Sequence, residues 1–188
     1  MSTSSSSAVG AWSAWNFSLD ATAKDVFAKA TAGLVGVKYT ALAYASQVVA
    51  GTNYAFICEA QLVSANPIAY PVVMHVNQPL GGAPIISGIQ KLGPAVTGNA
   101  GGWSSWSFTV SSEAQQVFDA AGQGFVGVNY KPIGFNTQVV AGMNYCYLCE
   151  GTVVVEGAPV IAALVFVYQP LPGQGTPHRT EIQSIPTH

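Results

Sequence analysis

Charge is scarce in this sequence. Lys and Arg number six, Asp and Glu eight, together 7% of 188 residues, and the formal net charge is −2. Basic side chains nowhere cluster, so the field that gathers nucleic acid or an anionic bilayer is missing, and neither is an expected partner. Long apolar runs are also missing: none approaches the ~20 residues a membrane-crossing helix needs. The three cysteines, Cys58, Cys146 and Cys149, are too few for a disulfide framework. Cys146 and Cys149 have C-x-x-C spacing, but residues three apart on a strand face opposite sides. That disfavours a metal site, and buried thiols are expected instead. The three histidines, His75, His178 and His188, belong to no Ser-His-Asp, H-E-x-x-H or P-loop pattern. No enzyme, catalytic residue, metal or cofactor is expected.

What the sequence does have is a repeat. QVVAGTNY at 47–54 returns as QVVAGMNY at 138–145, and nine of the thirteen positions from 47 to 59 are identical to their counterparts. An offset of 91 aligns the chain without a gap from Trp12/Trp103 to Leu80/Leu171, pairing Trp15 with Trp106, Gly51 with Gly142, Cys58 with Cys149 and Gln78 with Gln169. One duplication of roughly 90 residues reads as two domains rather than a solenoid, and a unit of that size folds with a small margin. The expected division is a Ser-rich disordered tail at 1–8, a first domain at 9–95, a Gly-containing linker at 96–101 and a second domain at 102–188. Glu59 and Glu150 then belong to separate units and form no acid/base pair. His75 has Phe166 as its counterpart, an exchange that suggests packing rather than catalysis. Gly33-x-x-Gly36 and Gly124-x-x-Gly127 lack the strand-before-helix context of a phosphate loop and read as helix stops.

Each copy follows one pattern. A short Trp-containing strand comes first. Ser18 or Thr109 is the expected cap of a helix. Its apolar stripe is Leu19, Ala23, Val26, Phe27, Ala30 and Leu34, or Val110, Ala114, Val117, Phe118, Ala121 and Phe125. Gly33 and Gly124 are the expected stops. Four runs rich in β-branched and aromatic residues follow, joined by short turns, with QVVAG as the first hairpin tip. The fold class implied is α+β, one α-helix packed on a four- to five-stranded antiparallel β-sheet in each copy. In an antiparallel meander the first and third turns lie at the same end. QVVAG, the Gln-Pro-Leu turn and the leading segment are therefore expected to converge on one edge.

These residues resemble the cystatin superfamily of cysteine-protease inhibitors, in particular the single-domain, disulfide-free stefins. The resemblance rests on an N-terminal glycine, a helix, a Q-x-V-x-G hairpin and a second turn, occurring twice and covering nearly all of both copies. It implies two cystatin-like domains that act as reversible inhibitors of papain-like cysteine proteases. Each would enter the active-site cleft as a wedge and offer no scissile bond. Carried over, the protease-binding residues are Gly10, Gln47, Val48, Val49, Ala50, Gly51, Pro79 and Leu80. In the second copy they are Gly102 (or its neighbour Gly101), Gln138, Val139, Val140, Ala141, Gly142, Pro170 and Leu171. The second turn carries Leu80 and Leu171 where many relatives have tryptophan. The competing class is a non-inhibitory binding, adhesion or self-assembling module, including a homodimer that exchanges strands by opening the QVVAG hairpin. The start, MSTSSSSAVG, lacks a charged segment followed by an apolar core, so a cytoplasmic location is the expectation.

Overall fold

The computed structural model describes residues 10–122 and 126–188. The Ser-rich tail at 1–8, the expected stop Gly124 and the last stripe residue Phe125 lie outside them. The first half contains α1 (Ala21–Thr31), β1 (Val37–Val49), β2 (Gly51–Leu62), β3 (Ala69–Gln78) and β4 (Ile85–Lys91). The second contains α2 (Ser112–Ala121), β5 (Val128–Val140), β6 (Gly142–Val153), β7 (Val160–Gln169) and β8 (His178–Ser184). Each half forms its own four-stranded antiparallel sheet, in sequential order β1-β2-β3-β4 and β5-β6-β7-β8.

The helices begin two residues later than the sequence suggests. Asp20, not Ser18, caps α1 by accepting the Ala23 N–H at 2.7 Å, and Ser111, not Thr109, caps α2 by accepting from Ala114 at 3.2 Å. Ser18 and Thr109 are held in the preceding turns. Asn16 Oδ1 accepts the Ser18 N–H at 2.9 Å, and the Ser107 hydroxyl donates to the Thr109 carbonyl at 2.8 Å. The Asp20 carboxyl is held below its ordinary pKa, first by that cap bond and then by the Tyr44 hydroxyl. The leading segments are not full strands. They pair with β1 and β5 at isolated bridges, Trp12 to Gln47 and Asn16 to Tyr44, then Trp103 to Gln138 and Ser107 to Phe135.

The expected fold class requires correction. Among the described residues strand accounts for 48% and helix for only 12%, and each sheet has four strands. This sheet-dominated structure, with a short helix ahead of each half, is not the α+β pair of cystatin-like domains expected. The reason lies in the inner faces of the sheets. One core cluster sits between α1 and its sheet, built on Ala23, Val26, Phe56, Cys58, Val72 and Met74. Another sits between α2 and its sheet, with Ala114, Val117, Phe118, Tyr147 and Val165. A third contains residues of both sheets: Ile57, Val73, Trp15, Leu148, Leu164 and Trp106. The layers therefore run helix, sheet, sheet, helix. Neighbouring residues Phe56 and Ile57 enter different cores, as do Tyr147 and Leu148. A sheet buried on both faces needs near-continuous apolar strands, which is what Tyr54–Cys58 and Ala162–Val165 supply. Fully burying each large aliphatic side chain there stabilises by about 1.5–3 kcal/mol.

Cys146 faces the inter-sheet core and Cys149 the helix-side core, three residues apart on opposite faces of β6. All three cysteines are free and buried, and burial pushes their thiols well above the ordinary range.

Hydrogen bonds fasten the halves along two seams. Trp106 donates its backbone N–H to the Ala69 carbonyl at 3.0 Å, and the Ser105 hydroxyl accepts the Ala69 N–H at 2.9 Å. On the other seam, Trp15 Nε1 donates to the buried Ile185 carbonyl at 2.9 Å.

Candidate functional site

The β1–β2 turn is as short as a hairpin allows. Val49 pairs with Gly51, leaving Ala50 alone at the tip. Gly51 makes this possible, with a φ of +107° that disfavours side chains. It is also crowded: a Cβ at Gly51 would overlap the Gln78 carbonyl oxygen and lie 3.1 Å from Pro79 Cα. The first tip thus rests directly on the backbone of the β3–β4 turn. Gly142 repeats this with a φ of +111° and a Cβ position 2.5 Å from the Gln169 carbonyl oxygen.

A row of amides ties in the leading segment. Gln47 Nε2 donates to the Gly10 carbonyl at 2.8 Å, Asn53 Nδ2 donates to Gln47 Oε1 at 2.9 Å, and Asn77 Nδ2 donates to Asn53 Oδ1 at 2.7 Å. Gln78 Nε2 closes the second turn by donating to the carbonyls of Pro79 and Gly82. Gly10, Gln47, Gly51 and Pro79 are therefore brought to one edge, here edge one. Val48, Val49 and Leu80 project from it with 62%, 43% and 89% exposure, and Ala50 is exposed at the tip.

Edge two has the same plan with different details. Gln138 Nε2 donates to the Gly101 carbonyl at 2.9 Å, and Asn144 Nδ2 donates to Gln138 Oε1 at 2.9 Å. The leading glycine at this edge is therefore Gly101. Gly102 packs against Thr97 and donates its N–H to the Asn99 carbonyl. The third amide is replaced by Tyr168, whose hydroxyl donates to the Ala141 carbonyl and whose ring covers Gly142. Gln169 no longer braces its turn and instead accepts from the Tyr145 hydroxyl at 3.2 Å. Val139 and Val140 are exposed as in edge one, at 64% and 41%, but Leu171 falls to 43%. Pro170 is half-buried and Ala141 exposed.

No Lys, Arg, His, Asp or Glu belongs to either set. Beside edge one lies His75, edge-on to Trp12 with ring centroids 6.4 Å apart. The two share a hollow of about 350 Å³ with Gln47, Asn53 and His188. Trp103 and Phe166 keep the same 6.4 Å arrangement beside edge two without the charge. Burial first, and His188 second, hold the His75 imidazole below its ordinary pKa.

A larger hollow of about 660 Å³ lies on the seam where Ala14 and Trp15 approach Val160 and Glu150. Of its polar groups, Ser13 is bonded to Ser46, Asn16 to Ser18 and Tyr44 to Asp20. Among the described residues no group of His, Cys, Asp and Glu could hold a metal ion, and no helix is long and apolar enough to cross a membrane.

Asn53 and Asn144, absent from the site residues expected on sequence, connect Gln47 and Gln138 to the rest of the sheet. Their signal was present, since the Asn-Tyr after the pentapeptide is identical in both copies. Compared with known families and curated proteins, the chain matches no family model and no curated sequence.

Proposed function

We propose that each edge is a preformed apolar wedge that blocks the cleft of a papain-like cysteine protease reversibly. The observation that carries this reading is the convergence of three separate chain segments on a single uncharged edge, with Val48, Val49 and Leu80 left in solvent. Exposed aliphatics on a tip that is backbone-locked from below serve no core. Their removal from water on docking stabilises a complex by about 1.5–3 kcal/mol for each side chain fully buried. Because the turns are fixed beforehand, little conformational entropy is lost on docking. The twice-written Gln-Val-Val-Ala-Gly segment, which resembles that of the cysteine-protease inhibitors, supplies the partner class. Nothing in the wedge has to open for hydrolysis, so the complex is reversible.

The test is titration of papain with a fluorogenic substrate. Tight inhibition reversed by dilution is expected, and Val48→Asp combined with Val139→Asp should weaken it at least tenfold with an unchanged far-UV spectrum. Failure to inhibit papain and several related enzymes would end this reading in favour of a non-proteolytic partner.

A further inference from the structure

We infer that the two edges point away from each other and seat two partner molecules at once, making the chain a rigid bridge. The partner class rests on the reading above; the geometry does not. Ala69 opens β3 at the end remote from the Gln78 turn, and a ten-residue strand spans about 33 Å. Ala69 is bonded by Ser105 and Trp106. Those residues lie on the leading segment that pairs with β5 just behind tip two, Trp103 with Gln138 and Ser107 with Phe135. The base of the first sheet therefore stands beside the neck of edge two. The reverse also holds. Ile185, one residue past β8, is bonded by Trp15, and His188 reaches the hollow beside Gln47 in edge one. Each edge has the other sheet's base as its neighbour, so the tips lie at opposite poles.

The poles cannot fold toward one another. Ile57, Val73, Leu148 and Leu164 form one core between the sheets, so the halves move as a block. One partner cannot grip both edges, and two partners of ordinary interface size, about 800 Å² each, do not collide across more than about 30 Å. The edges are also unequal. Leu80 stands at 89% exposure and Leu171 at 43%, with Tyr168 drawn over tip two. Edge one is the tighter site.

Two measurements test this independently. Leu80→Cys with Leu171→Cys puts one label on each pole, because the native thiols are buried. Spin-label distances should form one narrow population beyond about 30 Å; a short or broad distribution overturns the rigid opposed geometry whatever the partner. Light scattering with excess papain should give one chain with two enzymes. Val48→Asp with Leu80→Asp, or Val139→Asp with Leu171→Asp, should each reduce this to one, the first pair leaving a several-fold weaker complex. A ceiling of one enzyme on the parent chain, with both variants still binding one, overturns bridging while sparing inhibition. No complex with any version, beside a long fixed label distance, overturns the protease reading and with it the bridge between proteases.

Discussion

Replacing Gly51 with alanine puts a methyl group where the Gln78 carbonyl oxygen already sits. Two costs add. A φ of +107° is unfavourable for any residue with a Cβ, by roughly 1–2 kcal/mol. The clash is with backbone on both sides, Gln78 O and Pro79 Cα, so it cannot be relieved by a rotamer change and adds about 1–3 kcal/mol of overpacking. The sum, about 2–5 kcal/mol, lowers the Tm of a chain this size by about 5–15 °C. Gly81→Ala is the internal control. It lies on the same β3–β4 turn, has no left-handed backbone and meets nothing within 4 Å, so it should stay within about 0.5 kcal/mol of the parent. The assay is urea unfolding followed by tryptophan fluorescence, run alongside papain inhibition. Gly51→Ala should be both less stable and a weaker inhibitor at edge one, since the second turn must move to admit the methyl. If it unfolds at the same urea concentration as Gly81→Ala, the first tip does not rest on the second turn, and the apical edge as described does not exist.

Other consequences follow from single contacts. Gln47→Ala removes the bonds to Gly10 and Asn53, which should cost about 1–2 kcal/mol in urea unfolding; it should also weaken papain inhibition by releasing the leading segment. Trp15→Phe breaks the buried bond to the Ile185 carbonyl, whereas Trp106 Nε1 has no partner. Trp15→Phe should therefore be the more damaging by about 1–3 kcal/mol, and equal losses would contradict the seam as drawn. His75, with its folded pKa below the ordinary 6.5, binds fewer protons folded than unfolded in the interval between the two values. Its contribution is complete above about pH 6.5 and lost as pH falls toward the folded value. Thermal melts of the parent and of His75→Phe, compared at pH 8 and pH 5, should show the parent losing more; parallel losses would refute it.

The legible part of the fold was local. The hairpin tips, the strand order and the shared end of the two turns all follow from repeat spacing and antiparallel connectivity, and β1 to β4 lie where the apolar runs begin and end. Helix starts were missed by two residues because Asn16 and Ser107 bind the residues that would otherwise cap. That competition between two polar side chains a turn apart depends on the path of the incoming segment, which is set by its bridges to β1 and β5. In the site, Gln47, Val48, Val49, Gly51 and Leu80 were recognisable from the repeated pentapeptide and the turn that follows. Asn77 was not, because its counterpart is Tyr168 and the repeat gave no identity to mark it.

The larger misreading concerned what lies under the sheets. A helix on one face of an antiparallel sheet leaves the other face to water, and such a strand alternates apolar with polar. β2 does not alternate: Tyr54 through Cys58 are all buried, and so are Tyr145 through Cys149 in β6. Five consecutive buried residues demand a second apolar layer, and the shared core shows that this layer is the other copy of the sheet. Duplication therefore does more than double a binding edge. Each copy covers the face its partner exposes, and the leading tryptophans, Trp15 and Trp106, lie within that shared core. A half expressed alone would expose Ile57 and Val73, or Leu148 and Leu164, to water. Either half should consequently bind the apolar dye ANS or associate with itself, while the full chain does neither. A single half that stays monomeric, dye-silent and cooperatively folded would mean the inter-sheet core contributes nothing to stability.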